Sequence, residues 1–428
     1  MSRKRRGWRQ RGRLGRYTEV REEFKRGGLE VKRFGRTTKD HIKINDMDRL
    51  FLYNISAKLF IMKASRIEQI IRLGQLQWWH GKIEKVRKEH RLNYLFWECT
   101  HACNLRCKHC GSDCGPRLSE ELTTDEIKDA FKSIAGDFDA RKIMIAVTGG
   151  EPLLRTDLFA VMKYATSLGF RWGMVTNGTL IDQEAVEKCH DAGMSTVTVS
   201  IDGLEETHDY IRRLNGSFNK SINALKLFKA SESFAVVQAT TCVSDYNFDE
   251  LERMYDLFKN TGIDEWRLLT VNPIGRAKED LRFNISSDQL VKLLDFIVES
   301  RRKSGMRVTY EEEGFLGPEY EGRVRSSPFY CPAGINIASI LCDGSISACP
   351  NLPRSLIQGN IRNDNFKDVW DNRYKSFRDL SWKKTGECKD CEWWPYCTGN
   401  SLHLWDLEKM QPIICHVRAI KDGSTGIK

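Results

Sequence analysis

The sequence predicts an α/β protein, built as a partial, TIM-like (β/α)6 barrel that is followed by a small cysteine-rich domain. Three observations support this prediction. Between about 90 and 310, short runs rich in Val, Ile, Thr and aromatic residues alternate with amphipathic helical patterns, as expected for parallel strands with helical crossovers. There are six such runs, which make an open barrel rather than a closed eightfold one. From about 328, cysteines, glycines and aromatic residues dominate and helical patterns become scarce.

The six predicted strands are followed by helices with recognisable ends. The first helix begins with a capping box formed by Thr123 and Glu126, and apolar residues then repeat at helical spacing. A later helix runs from Asp182 to a stop at Gly193. In parallel α/β barrels the functional residues gather at the C-terminal ends of the strands, so we expect the site there. The strands are predicted at 93–98, 142–148, 171–176, 196–201, 235–243 and 266–270.

The chain is predicted to divide into four segments: a basic, disordered arm over 1–44, a helical extension over 45–89, the barrel over 90–310 and the cysteine-rich domain over 311–428. Residues 1–40 contain 15 Lys and Arg against 5 Asp and Glu, which accounts for the whole net charge of +10. Such an arm can bind nucleic acid or acidic lipid. We favour a solvated extension, or a start codon placed too far upstream, and therefore expect no nucleic-acid partner.

The cysteines are predicted to bind metal rather than to form disulfides. No apolar run reaches about 18 residues and the N-terminus lacks the apolar stretch of a signal peptide, so we expect no transmembrane segment and a cytoplasmic protein. Thiols stay reduced in that compartment. Of the 14 cysteines, five lie between 99 and 114 and seven between 331 and 415. The two isolated ones, Cys189 and Cys242, are predicted to be small buried hydrophobic residues.

The central motif is Cys103-Asn-Leu-Arg-Cys107-Lys-His-Cys110, which directly follows the first predicted strand. Zinc sites prefer paired two-residue gaps and a fourth ligand. Three cysteines can instead hold three irons of a [4Fe–4S] cluster and leave the fourth iron open. Spacing alone leaves zinc as an alternative. Cys99 and Cys114 flank the motif and are predicted to be free or packed thiols.

This spacing, in this context, resembles the cluster motif of the radical S-adenosylmethionine (SAM) superfamily. The resemblance implies that the open iron takes the amino and carboxylate groups of SAM. One electron then cleaves SAM to a 5′-deoxyadenosyl radical, which abstracts a hydrogen atom. Later strand ends also resemble motifs of the superfamily: Gly149-Gly150-Glu151-Pro152, Thr176-Asn177-Gly178, Ser200-Ile201-Asp202-Gly203 and the segment 271–276.

The resemblance also implies which residues contact SAM. Glycines let the backbone come close to a ligand, and a carboxylate can accept a hydrogen bond from the SAM ammonium. Arg212 matches an arginine expected near the SAM carboxylate, with a surface salt bridge as the alternative, and 271–276 is expected near the adenine. The predicted SAM contacts are Gly149, Gly150, Glu151, Thr176, Asn177, Ser200, Asp202 and Arg212.

The C-terminal cysteines resemble the SPASM/twitch extension of radical SAM enzymes, which carries one or two auxiliary [4Fe–4S] clusters; a zinc ribbon is the alternative. Two departures stand out. Ser401 replaces a cysteine that the family often has. Pro350 replaces the aspartate of the sulfatase-maturing branch, which argues against that activity here. The predicted metal ligands of this region are Cys331, Cys342, Cys349, Cys388, Cys391, Cys397 and Cys415.

Two divisions of these cysteines are open. In the favoured one, Cys388, Cys391, Cys397 and Cys415 hold one cluster, whereas Cys331, Cys349 and Cys342 serve a second cluster that lacks a fourth thiolate. In the other, the ligands of a single auxiliary cluster are Cys331, Cys349, Cys388 and Cys391.

The predicted function is radical modification of a peptide or protein, with electrons from a reductant such as flavodoxin or ferredoxin. The enzymatic alternative is oxidation of a small cofactor precursor such as a tetrapyrrole. A non-catalytic iron–sulfur protein is disfavoured, because an electron carrier would not need the motifs for SAM. The sequence predicts no catalytic residue that acts on the substrate, since fold-level analogy does not supply it.

Overall fold

The computed structural model describes residues 64–303, 305–311 and 314–425. The predicted arm over 1–44 and the predicted helical extension as far as 63 lie outside these residues. Among the described residues, no helix is long and apolar enough to cross a membrane.

The described chain alternates strands and helices up to about residue 310 and has shorter elements thereafter. The strands, in chain order, are β1 Tyr94–Thr100, β2 Met144–Gly149, β3 Arg171–Thr176, β4 Met194–Ser200, β5 Val236–Val243, β6 Glu265–Thr270, β7 Arg307–Tyr310, β8 Ile337–Ile340, β9 Ser345–Ser347, β10 Gly359–Asn360, β11 Trp405–Asp406 and β12 Gln411–Pro412. The α-helices are α1 Ala64–Glu89, α2 Thr124–Asp137, α3 Leu158–Ser167, α4 Gln183–Asp191, α5 Glu205–Arg212, α6 Ser217–Ala230, α7 Leu251–Thr261, α8 Ser287–Ser300, α9 Gly317–Tyr320, α10 Phe366–Asn372, α11 Lys375–Arg378, α12 Trp394–Cys397 and α13 His416–Thr425.

One ten-stranded sheet contains β1 to β7 side by side in chain order, and every neighbouring pair among them is parallel. This arrangement confirms the predicted α/β fold with a partial barrel. The number of strands differs from the prediction of six. The seventh strand, β7, has only four residues, and so short a run carries too little alternation to be recognised.

The C-terminal part of the chain extends the same sheet. Strand β8 pairs in parallel with β1, so that Tyr94 lies opposite Ile337 and Trp97 opposite Ile340. Strands β9 and β10 follow by antiparallel pairing. The sheet therefore crosses the boundary predicted at 311, although that boundary itself stays a prediction.

The strands bury one face under the helices and turn the other toward the barrel interior. In β5, Val237, Ala239, Thr241 and Val243 are buried and alternate with half-buried residues on the inner face. The outer face packs large side chains against the helices, and Trp97, Trp172 and Trp266 have no exposed surface. The capping box of α2 forms as predicted, because Thr123 and Glu126 satisfy each other's backbone amides. The helices thus seal the outside of the sheet and leave polar groups inside it.

Candidate functional site

The loop that follows β1 carries the cysteine motif and is held by the loop that follows β2. The Gly150 N–H donates to the Thr100 carbonyl at 2.8 Å, and the Glu151 N–H donates to the Ala102 carbonyl at 2.8 Å. A Cβ atom on Gly150 would lie 2.0 Å from that Ala102 oxygen, so only glycine fits. The predicted Gly149-Gly150 pair therefore packs against the cysteine loop itself.

Cys103, Cys107 and Cys110 are neighbours in this loop, and each affects the ionisation of another. Burial raises the pKa of the Cys103 thiol to about 11, and the neighbouring Cys107 and Cys110 add to the rise. The Leu105 N–H lies 3.4 Å from the Cys103 sulfur. Three soft sulfur donors with no carboxylate among them suit an iron–sulfur cluster, and the residues present therefore fit that group.

Glu151 is fully buried beneath this loop and is already hydrogen-bonded. Its carboxylate accepts from the Thr176 hydroxyl at 2.7 Å and from the Asn177 N–H at 2.9 Å. Burial raises the pKa of Glu151, and these donors oppose the rise. The structure thus brings together Glu151, Thr176 and Asn177, the predicted SAM contacts after β2 and β3.

Asp202 and Arg212 form a buried ion pair at the end of β4. An Arg212 guanidinium nitrogen lies 2.6 Å from Asp202 Oδ2, and another lies 3.8 Å from the Cys107 sulfur. Burial opposes the charge on Asp202, but Arg212 and His109 outweigh it and hold the pKa of Asp202 below its usual range. Arg212 is therefore a buried residue beside the cysteine motif rather than a surface arginine. Ser200 is the last residue of β4, opposite Thr240 of β5.

His109 is a site residue that the sequence analysis missed. Its Nε2 lies 3.2 Å from Asp202 Oδ2, its ring stacks on Phe283, and its buried Nδ1 has no hydrogen-bond partner among the described residues. Its position could have indicated a role in the site, because this histidine stands between two cysteines of the motif. Cys242 lies with His109 and Asp202 within 4.8 Å, but Arg212 already neutralises that carboxylate, so we assign no metal there.

The cysteines outside the predicted ligand set have different surroundings. Cys189 and Cys99 are fully buried in the core, as predicted. Cys114 is buried too, but its thiol donates to Cys110 and lowers the pKa of Cys110. Cys242 packs against a small apolar cluster, but it is half-buried rather than buried as predicted.

The segment 271–276 packs against the cysteine loop. The Arg276 Nε donates to the Cys107 carbonyl at 2.7 Å, and a second nitrogen donates to the Cys114 carbonyl at 3.2 Å. A Cβ atom on Gly275 would lie 2.3 Å from the Cys110 carbonyl oxygen. This segment therefore supports the loop from the side of β6.

The β8–β9 hairpin separates Cys342 from Cys349. Cys342 lies at the turn, and both its N–H and its thiol donate to the buried Glu98 near the C-terminal end of β1. Cys349 follows β9 and lies by Tyr94, the first residue of β1. The two sulfurs are at opposite ends of the hairpin, so the structure does not bring Cys342 into a group with Cys349.

Four other C-terminal cysteines are close together. Cys388 has Cys391 and Cys415 as charged neighbours, and Cys415 is likewise a neighbour of Cys397. The residue that replaces a family cysteine, Ser401, is fully buried, and its hydroxyl has no hydrogen-bond partner among the described residues. The four thiols suit a [4Fe–4S] cluster. Cys331 lies nearby but faces the side chains of Arg87 and Lys383.

The barrel interior contains a cavity of about 570 Å³ near the N-terminal ends of the strands. Two ion pairs lie in its wall: Arg307 lies 2.7 Å from Glu265, and Arg267 lies 3.8 Å from Glu311. Gln238 donates to Glu265 and accepts from Thr198. The remaining wall includes Tyr94, the loop 326–333 and Cys349.

Comparison with known proteins identifies the family. The model of the radical SAM superfamily matches residues 97–258, and the model of the SPASM iron–sulfur cluster-binding domain matches 331–392. An AdoMet-dependent heme synthase of Methanosarcina barkeri is 30% identical over 327 residues, which are 71% of this chain and 90% of the relative. This chain belongs to the radical SAM superfamily. It is a radical SAM enzyme with a C-terminal SPASM domain, and its cofactors are SAM and [4Fe–4S] clusters.

Other similar proteins include a maturase and enzymes whose structures hold bound peptides. Mycofactocin maturase MftC of Mycobacterium tuberculosis is 30% identical over 317 residues, which are 72% of this chain and 78% of the relative. Among solved structures, anSMEcpe with bound AdoMet and Cp18Cys peptide matches with a TM-score of 0.63 at 21% identity, over 78% of this chain and 96% of that one. SuiB of Streptococcus suis, bound to the precursor peptide SuiA, has a TM-score of 0.62 at 15% identity, over 78% of each chain. At these identities the structural likeness concerns the fold alone.

Proposed function

We propose that this radical SAM enzyme modifies a peptide or protein whose side chain or backbone enters the barrel cavity. The observation that carries the proposal is the mixture of hydrogen-bond donors and acceptors in the wall of that cavity. Arg307 and Arg267 each face a carboxylate, and Gln238 and Tyr94 add donors and acceptors. A peptide presents both N–H donors and carbonyl acceptors, so it matches a wall that offers both.

A tetrapyrrole would make different demands on the cavity. Its propionates need cations that are not already neutralised. The wall contains apolar and aromatic residues such as Phe96 and Phe329, but its three arginines are paired: Arg307 with Glu265, Arg267 with Glu311 and Arg325 with Glu321. Burying unpaired carboxylates against these carboxylates would be costly.

We further propose how the cysteines are used. Cys103, Cys107 and Cys110 would hold the cluster that supplies the 5′-deoxyadenosyl radical when SAM is bound. Glu151, Thr176, Asn177 and Arg212 would shape the SAM site, supported by the fixed contacts described above. Cys388, Cys391, Cys397 and Cys415 would hold an auxiliary cluster. The motifs suggest these ligand sets, and the proximity of the cysteines within each set supports them.

The second candidate is oxidation of a tetrapyrrole. It is favoured by the heme synthase of Methanosarcina barkeri, of which this chain covers 90%. That relative and MftC have the same identity to this chain, so the likeness does not choose between them. The two candidates differ in whether the protein binds a tetrapyrrole without any peptide.

The experiment uses the anaerobically reconstituted enzyme with SAM and dithionite. One arm titrates iron coproporphyrin III and follows its absorbance and the yield of 5′-deoxyadenosine. The other arm adds short peptides encoded beside the gene and follows their mass. We expect a mass change in a peptide and no saturable binding of the porphyrin. Tight porphyrin binding with a changed porphyrin product would overturn the proposal.

The variant Arg267→Gln tests the cavity directly. It breaks the pair with Glu311 in the wall, so modification of the peptide should fall at least tenfold while 5′-deoxyadenosine still forms without substrate. Arg302→Gln changes an exposed arginine after α8 and serves as the matched control. Equal peptide modification by the two variants would argue against the cavity as the substrate site.

A further inference from the structure

Lys383 is a lysine with no exposed surface in the C-terminal domain. Its ammonium donates to the Asn400 carbonyl at 2.6 Å and lies 4.8 Å from the centre of the Trp405 ring. Among the described residues, no carboxylate forms an ion pair with it. A buried ammonium is costly unless negative charge lies nearby. The groups near it that can carry negative charge are the sulfurs of Cys331, Cys397 and Cys388.

The backbone beside Cys397 has a strained conformation, which also favours negative charge at the Cys397 sulfur. Thr398, Gly399 and Asn400 all have positive φ angles, of 48°, 77° and 59°. Left-handed conformations cost free energy for residues other than glycine and cluster at functional sites. Here they turn the Asn400 N–H toward the Cys397 sulfur, at 3.2 Å. Successive N–H groups arranged in this way form a concave site for negative charge.

Lys383 packs directly onto this strained turn. A Cβ atom on Gly399 would lie 3.0 Å from Lys383 Cε and 3.1 Å from the Trp405 ring, so the lysine and the turn fit only with glycine between them. Asn400 also ties the turn to the other end of the cysteine group, because its side-chain amide donates to the carbonyl of Ile414. The cation, the turn and the cysteines are therefore parts of one packed unit.

We propose that Lys383 raises the reduction potential of the auxiliary cluster held by Cys388, Cys391, Cys397 and Cys415. Adding one electron to a four-thiolate [4Fe–4S] cluster adds one negative charge to a site whose four cysteines are half-buried. A fixed ammonium and inward N–H groups stabilise that added charge. The inference rests on the proposed use of these four cysteines. It deepens the proposed function, since such a cluster is a better acceptor for the electron that the substrate gives up after losing its hydrogen atom.

The test isolates the auxiliary cluster. In the full-length chain, Cys103, Cys107 and Cys110 are all replaced by Ala, so that iron bound by the protein belongs to the C-terminal domain. Iron content is measured first, and the potential is then determined by a dithionite titration followed by electron paramagnetic resonance. Lys383→Met removes the charge at similar size, Lys383→Arg keeps it, and Lys384→Met alters the exposed neighbour as a matched control.

We expect Lys383→Met to keep its iron and to lower the reduction equilibrium constant at least tenfold, which for one electron corresponds to about 59 mV. Lys383→Arg and Lys384→Met should stay close to the parent protein. An unchanged potential in Lys383→Met would overturn the inference. If Lys383→Met loses its iron, retention of iron by Lys383→Arg supports the role of charge, whereas loss from both means that the lysine serves packing. Absence of iron from the parent triple variant would refute the ligand assignment instead.

Discussion

At the scale of single residues, the charges around Asp202 set the character of the site. The sequence analysis predicted Asp202 and Arg212 separately as SAM contacts, because each belongs to a motif of the superfamily. Their mutual ion pair could not be predicted, since it depends on how α5 folds back over the end of β4. The same holds for His109, whose ring reaches Asp202 only because the cysteine loop lies against that strand.

Replacing Arg212 by Met should destabilise the fold by about 3 kcal/mol, because Asp202 would remain as a buried charge without its cation. Urea unfolding under anaerobic conditions measures the free energy. Arg213→Met, which changes the exposed next residue, should stay within about 0.5 kcal/mol of the parent. The double variant of Arg212→Met with Asp202→Asn should recover part of the loss. Equal effects of the two arginine variants would contradict this account.

His208 should make the stability depend on pH. Burial, and then the positive charge of Arg212, lower its pKa to about 4, against the opposing attraction of Asp202 and Asp209, while His109 adds to the lowering. The folded pKa is below the usual 6.5, so the unfolded chain binds the proton more readily between these values. Stability therefore falls as the pH drops from about 6.5 toward 4.

Between pH 7 and 5.5 this histidine alone should cost on the order of 1 kcal/mol. The measurement is the urea midpoint at each pH for the parent and for His208→Gln, which does not titrate. The variant should lose less stability than the parent over this interval. Identical slopes in the two proteins would show that His208 does not carry the effect.

At the scale of elements, the long strands were predictable and the short ones were not. β5 has eight residues with clear alternation, whereas β7 has four and β8 stands among cysteines and glycines that obscure its pattern. Because the short strands β8 and β9 were not predicted, Cys342 was predicted to be a ligand in one group with Cys349. Cys349 lies seven positions after Cys342, but spacing along the chain does not reveal that a hairpin turn places the two at opposite ends.

The contact between the loops after β1 and β2 predicts the effect of Gly150→Ala. The added methyl group would collide with the Ala102 carbonyl, and backbone cannot move aside as a flexible side chain can. We expect the variant to lose most of the iron of the SAM-binding cluster and at least tenfold in 5′-deoxyadenosine formation. Gly136→Ala has open space around its Cβ within α2 and should be neutral or slightly stabilising. Full iron content in Gly150→Ala would contradict the proposed role of this contact.

At the scale of the whole molecule, one sheet connects the cysteine motif after β1, the cavity and Cys349 after β9. Pairing of β8 with β1 carries the C-terminal domain onto the barrel edge, and Cys349 thereby becomes part of the cavity wall. The sequence predicted the two domains and their cofactors from motifs, but not this shared wall. The pairing of Arg267 with Glu311 and of Arg307 with Glu265 also could not be predicted from the motifs, because each partner comes from a neighbouring strand or its end.

The number of iron–sulfur clusters per chain tests the assignment of all the cysteine ligands in one measurement. The favoured sequence-based division needs Cys342 as a ligand beside Cys331 and Cys349, and predicts about 12 irons per chain. With Cys342 bonded to Glu98 and Ser401 in place of a cysteine, only two thiols remain for a second auxiliary cluster. We therefore expect about eight irons, four in each of two clusters.

Anaerobic reconstitution followed by iron and sulfide analysis measures this number. Replacing Cys397 and Cys415 together by Ala should reduce it to about four, because both belong to the four-thiol group. Replacing Cys331 and Cys349 together should leave it near eight, since Cys342 is hydrogen-bonded to Glu98 and does not complete a ligand set with them. A parent value near 12 that falls to eight in this second variant would establish the three-cluster division. A value of eight that is unaffected by the first variant would instead favour Cys331, Cys349, Cys388 and Cys391 as the ligands.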